Sequence, residues 1–310
     1  LNTIEDLDEY ISGKEQAAIS MDTPPEDLRK LITKDDYFNF KDQYYGNNNI
    51  MGPNSKHGTH VAGLAAGITD SSYSISNINQ AIKIMGVRVV PDGDEYDKDI
   101  ALGIRYAVNN GAKVINMSFG KSFSPEQAWV DSAIRYAATK DVLLIHSAGN
   151  ESYDLNTKSV YPNPYSPSFK NNAENMLTIG ASSDPIVNTS ILTDFSNYGN
   201  QVVDLLSPGE KIYSTLPNQI FGFQNGTSMS APIVSHIAGL IRAYFPKLTA
   251  KEVKEILLQS CVTPKITNTP TPTFEKEVPK AISEICATGG IINAALSVQN
   301  ASNYISKRKK

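Results

Sequence analysis

Three short stretches of this 310-residue chain carry residue types able to do acyl-transfer chemistry. The first is Asn225-Gly226-Thr227-Ser228-Met229-Ser230-Ala231-Pro232, which runs into Ile233, Val234, Ile237, Ala238, Leu240 and Ile241. Those apolar residues cover nearly every face, so the spacing predicts a buried helix. Gly226 has no Cβ and lets backbone and substrate approach closely. Pro232 suits a first helical turn, where a missing N–H costs little. A serine at such a helix start sits beside outward-pointing N–H groups and at the positive end of the helix dipole. An acyl-transfer nucleophile needs both, although Thr227 or Ser228 could equally serve as a plain helix cap. The second stretch is His57-Gly58-Thr59-His60-Val61-Ala62-Gly63-Leu64-Ala65-Ala66-Gly67. Its small residues let a helix pack closely, and His57 at its start could accept a hydroxyl proton, or act only as a cap or core residue. His57 and His60 lie three apart, yet no third ligand follows at useful spacing, so no metal site is expected. The third stretch, His146-Ser147-Ala148-Gly149-Asn150, follows an apolar run. The Asn150 amide could donate to an oxyanion, or be an ordinary turn residue.

The elements that must position these residues read as an α/β chain. Residues 82–89, Val114–Ser118, Val142–His146, Met176–Ala181 and Val202–Leu206 read as short apolar strands. Asp97–Asn110 and Pro125–Thr139 read as helices between them, with Ile100, Ala101, Ile104 and Ala107 on one face of the first. Near-continuous apolar strands separated by helices predict a mostly parallel sheet covered on both faces, a three-layer architecture. Such sheets place ligands beyond the carboxyl ends of their strands, which is where Asn150 falls.

The totals set limits. A net charge of −4 argues against nucleic acid as a main partner. No apolar run approaches the ~18 residues of a membrane span. No secretory leader is visible, but the first residue is Leu1 and not Met, so a segment before it is expected to be missing. Cys261 and Cys286 flank a Pro/Thr-rich stretch. A disulfide closing it and two free thiols are both open readings.

The serine octet resembles the serine motif of the subtilisin-like serine proteases, and the His57 stretch resembles their histidine motif. Ala148-Gly149-Asn150 resembles the family's oxyanion segment, and Ile115-Asn116-Met117-Ser118-Phe119-Gly120 its substrate-pairing strand. Weaker matches are Phe195–Gly199, Ser207-Pro208-Gly209 and Gly289–Ala294, so the resemblance covers about residues 49 to 300. It implies a subtilisin-like fold and a serine endopeptidase with Ser228 as nucleophile, His57 as general base and Asn150 as oxyanion donor. His60 is then a buried structural histidine. Ser118, Phe119, Gly120, Ala148 and Gly149 would bind the substrate; a plain core aromatic is the other reading of Phe119. The implied partner is a polypeptide substrate on a monomeric enzyme, outside the cell or in its envelope, and no cofactor is expected.

One expected segment is absent. The family orients its histidine with an aspartate that ends an apolar strand before the histidine motif, followed by a small residue and glycine. Asp22 is the nearest candidate, but Thr23-Pro24-Pro25-Glu26 beside it reads as a capping box opening a helix. An earlier helix is expected over Ile4–Ile11. The simpler expectation puts the aspartate strand before Leu1, with residues 1–48 a helical insertion or lid and residues 49–310 the peptidase domain. The absent aspartate also leaves a second class open, a catalytically inactive relative that binds peptides.

Overall fold

The computed structural model describes residue 11 and residues 29–52, 54–67, 81–90, 95–169, 173–184, 191–263, 268–271 and 278–308. Asp22, the Thr23 capping box and all but the last residue of the Ile4–Ile11 helix lie outside them. The chain divides into two compact units, residues 1–49 with 91–93 and residues 50–90 with 94–310. In the first, the helix α1 (Arg29–Ile32) leads to a polar loop. Arg29 donates from Nε and Nη2 to Asp35, each at 3.0 Å, and its guanidinium lies over the rings of Tyr37 and Tyr45.

The second unit holds the remaining elements: α2 (Lys56–Ala66), α3 (Asp97–Asn109), β1 (Val114–Met117), α4 (Gln127–Thr139), β2 (Leu143–Ser147), β3 (Met176–Ser182), β4 (Leu205–Pro208), β5 (Ile212–Leu216), β6 (Ile220–Gln224), α5 (Thr227–Tyr244), α6 (Ala250–Gln259), β7 (Cys261–Val262), β8 (Asn268–Thr271), β9 (Val278–Ala281), α7 (Ile282–Ile285), β10 (Ile291–Ile292) and α8 (Ala294–Arg308). The main sheet runs β1-β2-β3-β4-β10-β7. β1 to β4 and β10 are parallel, and β7 is antiparallel to β10.

Every residue of β2 and β3 is buried, as a sheet covered on both faces requires. Alternation sends Leu143 and Ile145 to one face and Leu144 and His146 to the other. On the first face, Leu143, Ile145, Leu177, Ile179 and Leu205 pack with Val234, Ile237, Ala238 and Ile241 of α5 and with residues of α6 and α8. α3 and α4 pack on each other, and α4 on β2. The expected three-layer, mostly parallel α/β fold is therefore present.

The structure corrects several local expectations. Residues 82–90 join no strand ladder; they run past the helices, with Val89 against Gly103 of α3 and Ile82 against Gly239 of α5. Among the described residues, β1 is the outermost strand of the sheet. β4 begins at Leu205 because Val202 and Val203 both donate their N–H to Gly199 O in a turn. α4 starts at Gln127 because Asp97 holds the preceding residues, accepting from Ser124 Oγ at 2.7 Å and Glu126 N–H at 2.9 Å. Cys261 and Cys286 are both free. Each thiol is turned to its own acceptors: Cys261 Sγ to Leu257 O at 3.5 Å, Cys286 Sγ to Thr288 Oγ1 and Gly290 O at 3.8 Å.

Candidate active site

The helix α5 begins at Thr227, so Ser228 is its second residue, with an N–H that no earlier turn of helix can accept. Gly226, just before it, has φ 142°. An L side chain rarely adopts that angle, although a Cβ there would make only ordinary contact with the Asn150 amide at 3.4 Å. Pro232 is the sixth residue of α5 and not part of its first turn. It removes the N–H that would have bonded Ser228 O, four residues earlier. The Ser118 hydroxyl takes that carbonyl instead, at 2.8 Å. Asn116 Nδ2 donates to Ser118 Oγ at 2.8 Å, and Ser235 Oγ donates to Asn116 Oδ1 at 3.0 Å. A hydrogen-bonded chain thus ties the end of β1 to the first turns of α5. Ser228 Oγ itself lies 3.4 Å from Ser118 O.

Asn150 follows β2 by three residues and is exposed. Its Oδ1 accepts from Thr227 N–H at 2.9 Å and from Thr227 Oγ1 at 3.0 Å. With the oxygen engaged by two donors, the Nδ2 group is the end left to reach outward. Thr227 Oγ1 in turn accepts from Gly149 N–H at 3.1 Å. Gly149 has φ 101°, and a Cβ there would collide with the Asn197 amide. The side chains at the helix start and at the strand end therefore brace each other.

His57 is the second residue of α2 and is exposed, while His60, one turn on, is fully buried. His60 Nε2 lies 3.0 Å from Ile212 O and 3.2 Å from Gly222 O, pinning α2 to the β5–β6 hairpin. Burial outweighs those bonds and lowers its pKa.

His57, Ser118, Phe119, Gly120, Gly149, Asn150 and Ser228 line one cleft of about 300 Å³. Of the expected site residues, Ala148 departs from this group: it is fully buried in the core with Leu155, Ile191 and Val203, and its carbonyl accepts from Asn197 Nδ2. The cleft also contains residues that sequence reading did not single out, Glu95, Lys121, Glu151, Val160 and Thr227. Thr227 was legible only as a cap, because its brace to Asn150 joins positions far apart in the chain. Lys121 is neutralised where it lies, at 2.8 Å from Asp97 and donating to Glu95 O at 2.5 Å. Glu151 accepts from Asn197 Nδ2 at 2.7 Å.

A hydroxyl at a helix start, an imidazole across the same cleft and an amide aimed outward are the parts of an acyl-transfer site. Comparison with known proteins points the same way. Residues 20–289 match the model of the Subtilase family. The cell wall-associated protease of Bacillus subtilis (strain 168) is 34% identical over 238 residues, covering 76% of this chain and 24% of that protein. The major intracellular serine protease of the same organism is 34% identical over 239 residues, covering 76% of this chain and 69% of that protein. This chain therefore spans about a quarter of the length of the first relative. Among solved structures, the prenylagaramide maturation protease PagA superposes with a TM-score of 0.61 at 26% identity, covering 80% of this chain and 84% of that one.

Proposed function

We propose, from the premise that this chain belongs to the subtilase family, that it is the catalytic part of a serine endopeptidase. The observation that carries the reading is the shared cleft of Ser228, His57 and Asn150. His57 accepts the Ser228 proton as Oγ attacks the peptide carbonyl. The Asn150 Nδ2 group and the Ser228 N–H receive the oxyanion. His57 then protonates the leaving amine, and water repeats the sequence on the acyl-enzyme. Ser118, Phe119, Gly120 and Gly149 hold the polypeptide. The enzyme acts as a monomer, with residues 1–48 as an insertion or lid and residues 49–310 as the peptidase domain. The relatives include a cell wall-associated and an intracellular protease, so family membership fixes no compartment; we place this one outside the cell or in its envelope.

The carboxylate that orients the histidine is proposed to lie on a strand preceding residue 1. Two observations support this. Val114, Ile115 and Asn116 of the edge strand β1 are only half-buried, whereas β2 beside it is fully buried. Residues 82–90 join no ladder among the described residues, and Ile84 and Met85 are exposed. An added strand would pair with the edge of β1 that no described residue pairs with. The second reading, an inactive peptide-binding relative, rests on the same unassigned carboxylate.

The test is labelling by a fluorophosphonate probe and casein hydrolysis, with this chain compared to one extended upstream. Ser228→Ala is expected to abolish both in the extended protein without altering its melt. Labelling that survives the substitution would move the nucleophile elsewhere, and absence of both labelling and hydrolysis from the extended protein would favour the peptide-binding reading.

A further inference from the structure

The β1–β2 ladder ends at the pair Met117 and His146, and Ser118-Phe119-Gly120 continues beyond it outside any strand. Successive carbonyls there point opposite ways. Ser118 O faces Ser228, which donates to it, while Phe119 O turns back toward β2. No backbone N–H of β2 meets it there. The His146 side chain does, with Nε2 at 2.8 Å. A carbonyl only accepts, so Nε2 carries the hydrogen, and burial disfavours a second proton on the ring. The ring is 2% exposed, stands edge-to-face with Phe119 at 6.4 Å, and backs the main chain at Gly120, where a Cβ would lie 3.5 Å from Nε2. Its Nδ1 has no partner among the described residues. An apolar side chain would fill this place at lower cost, since a buried polar ring is unfavourable unless its hydrogen bond matters.

We propose that His146 is a positioning residue for the peptide substrate: its side chain takes over where the β1–β2 ladder stops and holds Ser118-Phe119-Gly120 as a preformed edge for strand addition. With the Phe119 carbonyl held inward, the groups of Ser118 and Gly120 that alternate away from β2 are left for the extended substrate. The inference rests on the peptidase reading above. It predicts an effect on peptide recognition and not on the reactivity of Ser228.

The test compares His146→Leu, which removes the donor, with His146→Gln, which keeps an N–H able to reach Phe119 O. In the active protein, three readouts are taken: labelling by a small fluorophosphonate, turnover of a single-residue ester, and turnover of a tetrapeptide amide. His146→Leu should leave the first two within about twofold and lower the tetrapeptide kcat/KM about tenfold, chiefly through KM, the factor expected for one lost hydrogen bond. His146→Gln should recover most of that loss. An unchanged tetrapeptide kcat/KM in His146→Leu, or an equal fall in all three readouts, overturns the proposal. If His146→Leu does not fold, imidazole nitrogen NMR of the wild type decides. The His146 Nε2–H resonance should move when a peptide aldehyde binds and stay in place with phenylmethylsulfonyl fluoride; no movement with the peptide overturns the proposal. Absence of Ser228-dependent labelling in the wild type would instead sink the peptidase reading, and peptide binding to Ser228→Ala would still report on His146 through the same resonance.

Discussion

Lowering the pH should cost this protein stability through one buried ring. His146 is fully enclosed, and burial pushes its pKa down from 6.5 to about 4, outweighing the opposing effect of the bond to Phe119 O. The folded state therefore favours the neutral ring. As pH falls below 6.5 the unfolded chain takes up a proton that the folded chain refuses until about pH 4. The stabilisation from the neutral ring is thus fully present above pH 6.5 and is lost as pH falls between those values. At 1.36 kcal/mol per pKa unit, the loss is about 1.4 kcal/mol by pH 5.5 and about 2.6 kcal/mol by pH 4.5. Against a typical total of about 5–15 kcal/mol, that is a large fraction. His60 is shifted in the same direction and adds to the acid sensitivity of the wild type. The measurement is therefore a difference: urea unfolding of wild type and His146→Gln at pH 7.0, 5.5 and 4.5. The glutamine does not titrate, so the gap between the two proteins should close by about these amounts as pH falls. Parallel stability curves would refute the reasoning and show that water or a charge reaches the ring.

Asn150→Ala should lower kcat by about a hundred- to a thousandfold with KM little changed, the loss that removing one oxyanion donor brings. A change confined to KM, seen in steady-state kinetics, would remove Asn150 from the oxyanion role. Ser118→Ala should destabilise by about 1–2 kcal/mol, because Pro232 leaves Ser228 O without its helical donor. A double-mutant cycle with Ser235→Ala, read by thermal melts, should give a coupling of about 0.5–1 kcal/mol through Asn116, and strict additivity would break the proposed chain. Thiol counting under denaturing, non-reducing conditions should find two free thiols. In the native protein burial pushes the Cys261 thiol up to about 11, so alkylation at pH 8 should be slow; rapid modification would mean that β7 opens readily.

Much of this molecule was legible from the chain alone. The continuous apolar runs at Val142–His146 and Met176–Ala181 could only be strands buried on both faces, and the all-round apolar pattern after Ser228 could only be a buried helix. Local types and spacing suffice for such features, because burial depends on which side chains each element carries. Ser228, His57 and Asn150 stood out at element starts and ends, but local types left a cap or a turn equally open, and their assignment came from the resemblance of their segments to the subtilisin-like motifs. What depends on a partner was not legible. Residues 82–89 have a strand's composition yet form no strand, since a ladder needs a second backbone at the right distance and β1 does not supply one to them. Pro232 looked like a first-turn residue; only the position of Gly226 and the turn before Thr227 set it deeper, where its missing N–H frees Ser228 O for Ser118. The roles that Thr227 and His146 take up in the fold have no local signature. Thr227 acts by two hydrogen bonds to Asn150, 77 positions away, and His146 by one to Phe119 O, 27 positions away. Contacts of that kind exist only once the sheet and its helices have packed, and tertiary structure alone decided them.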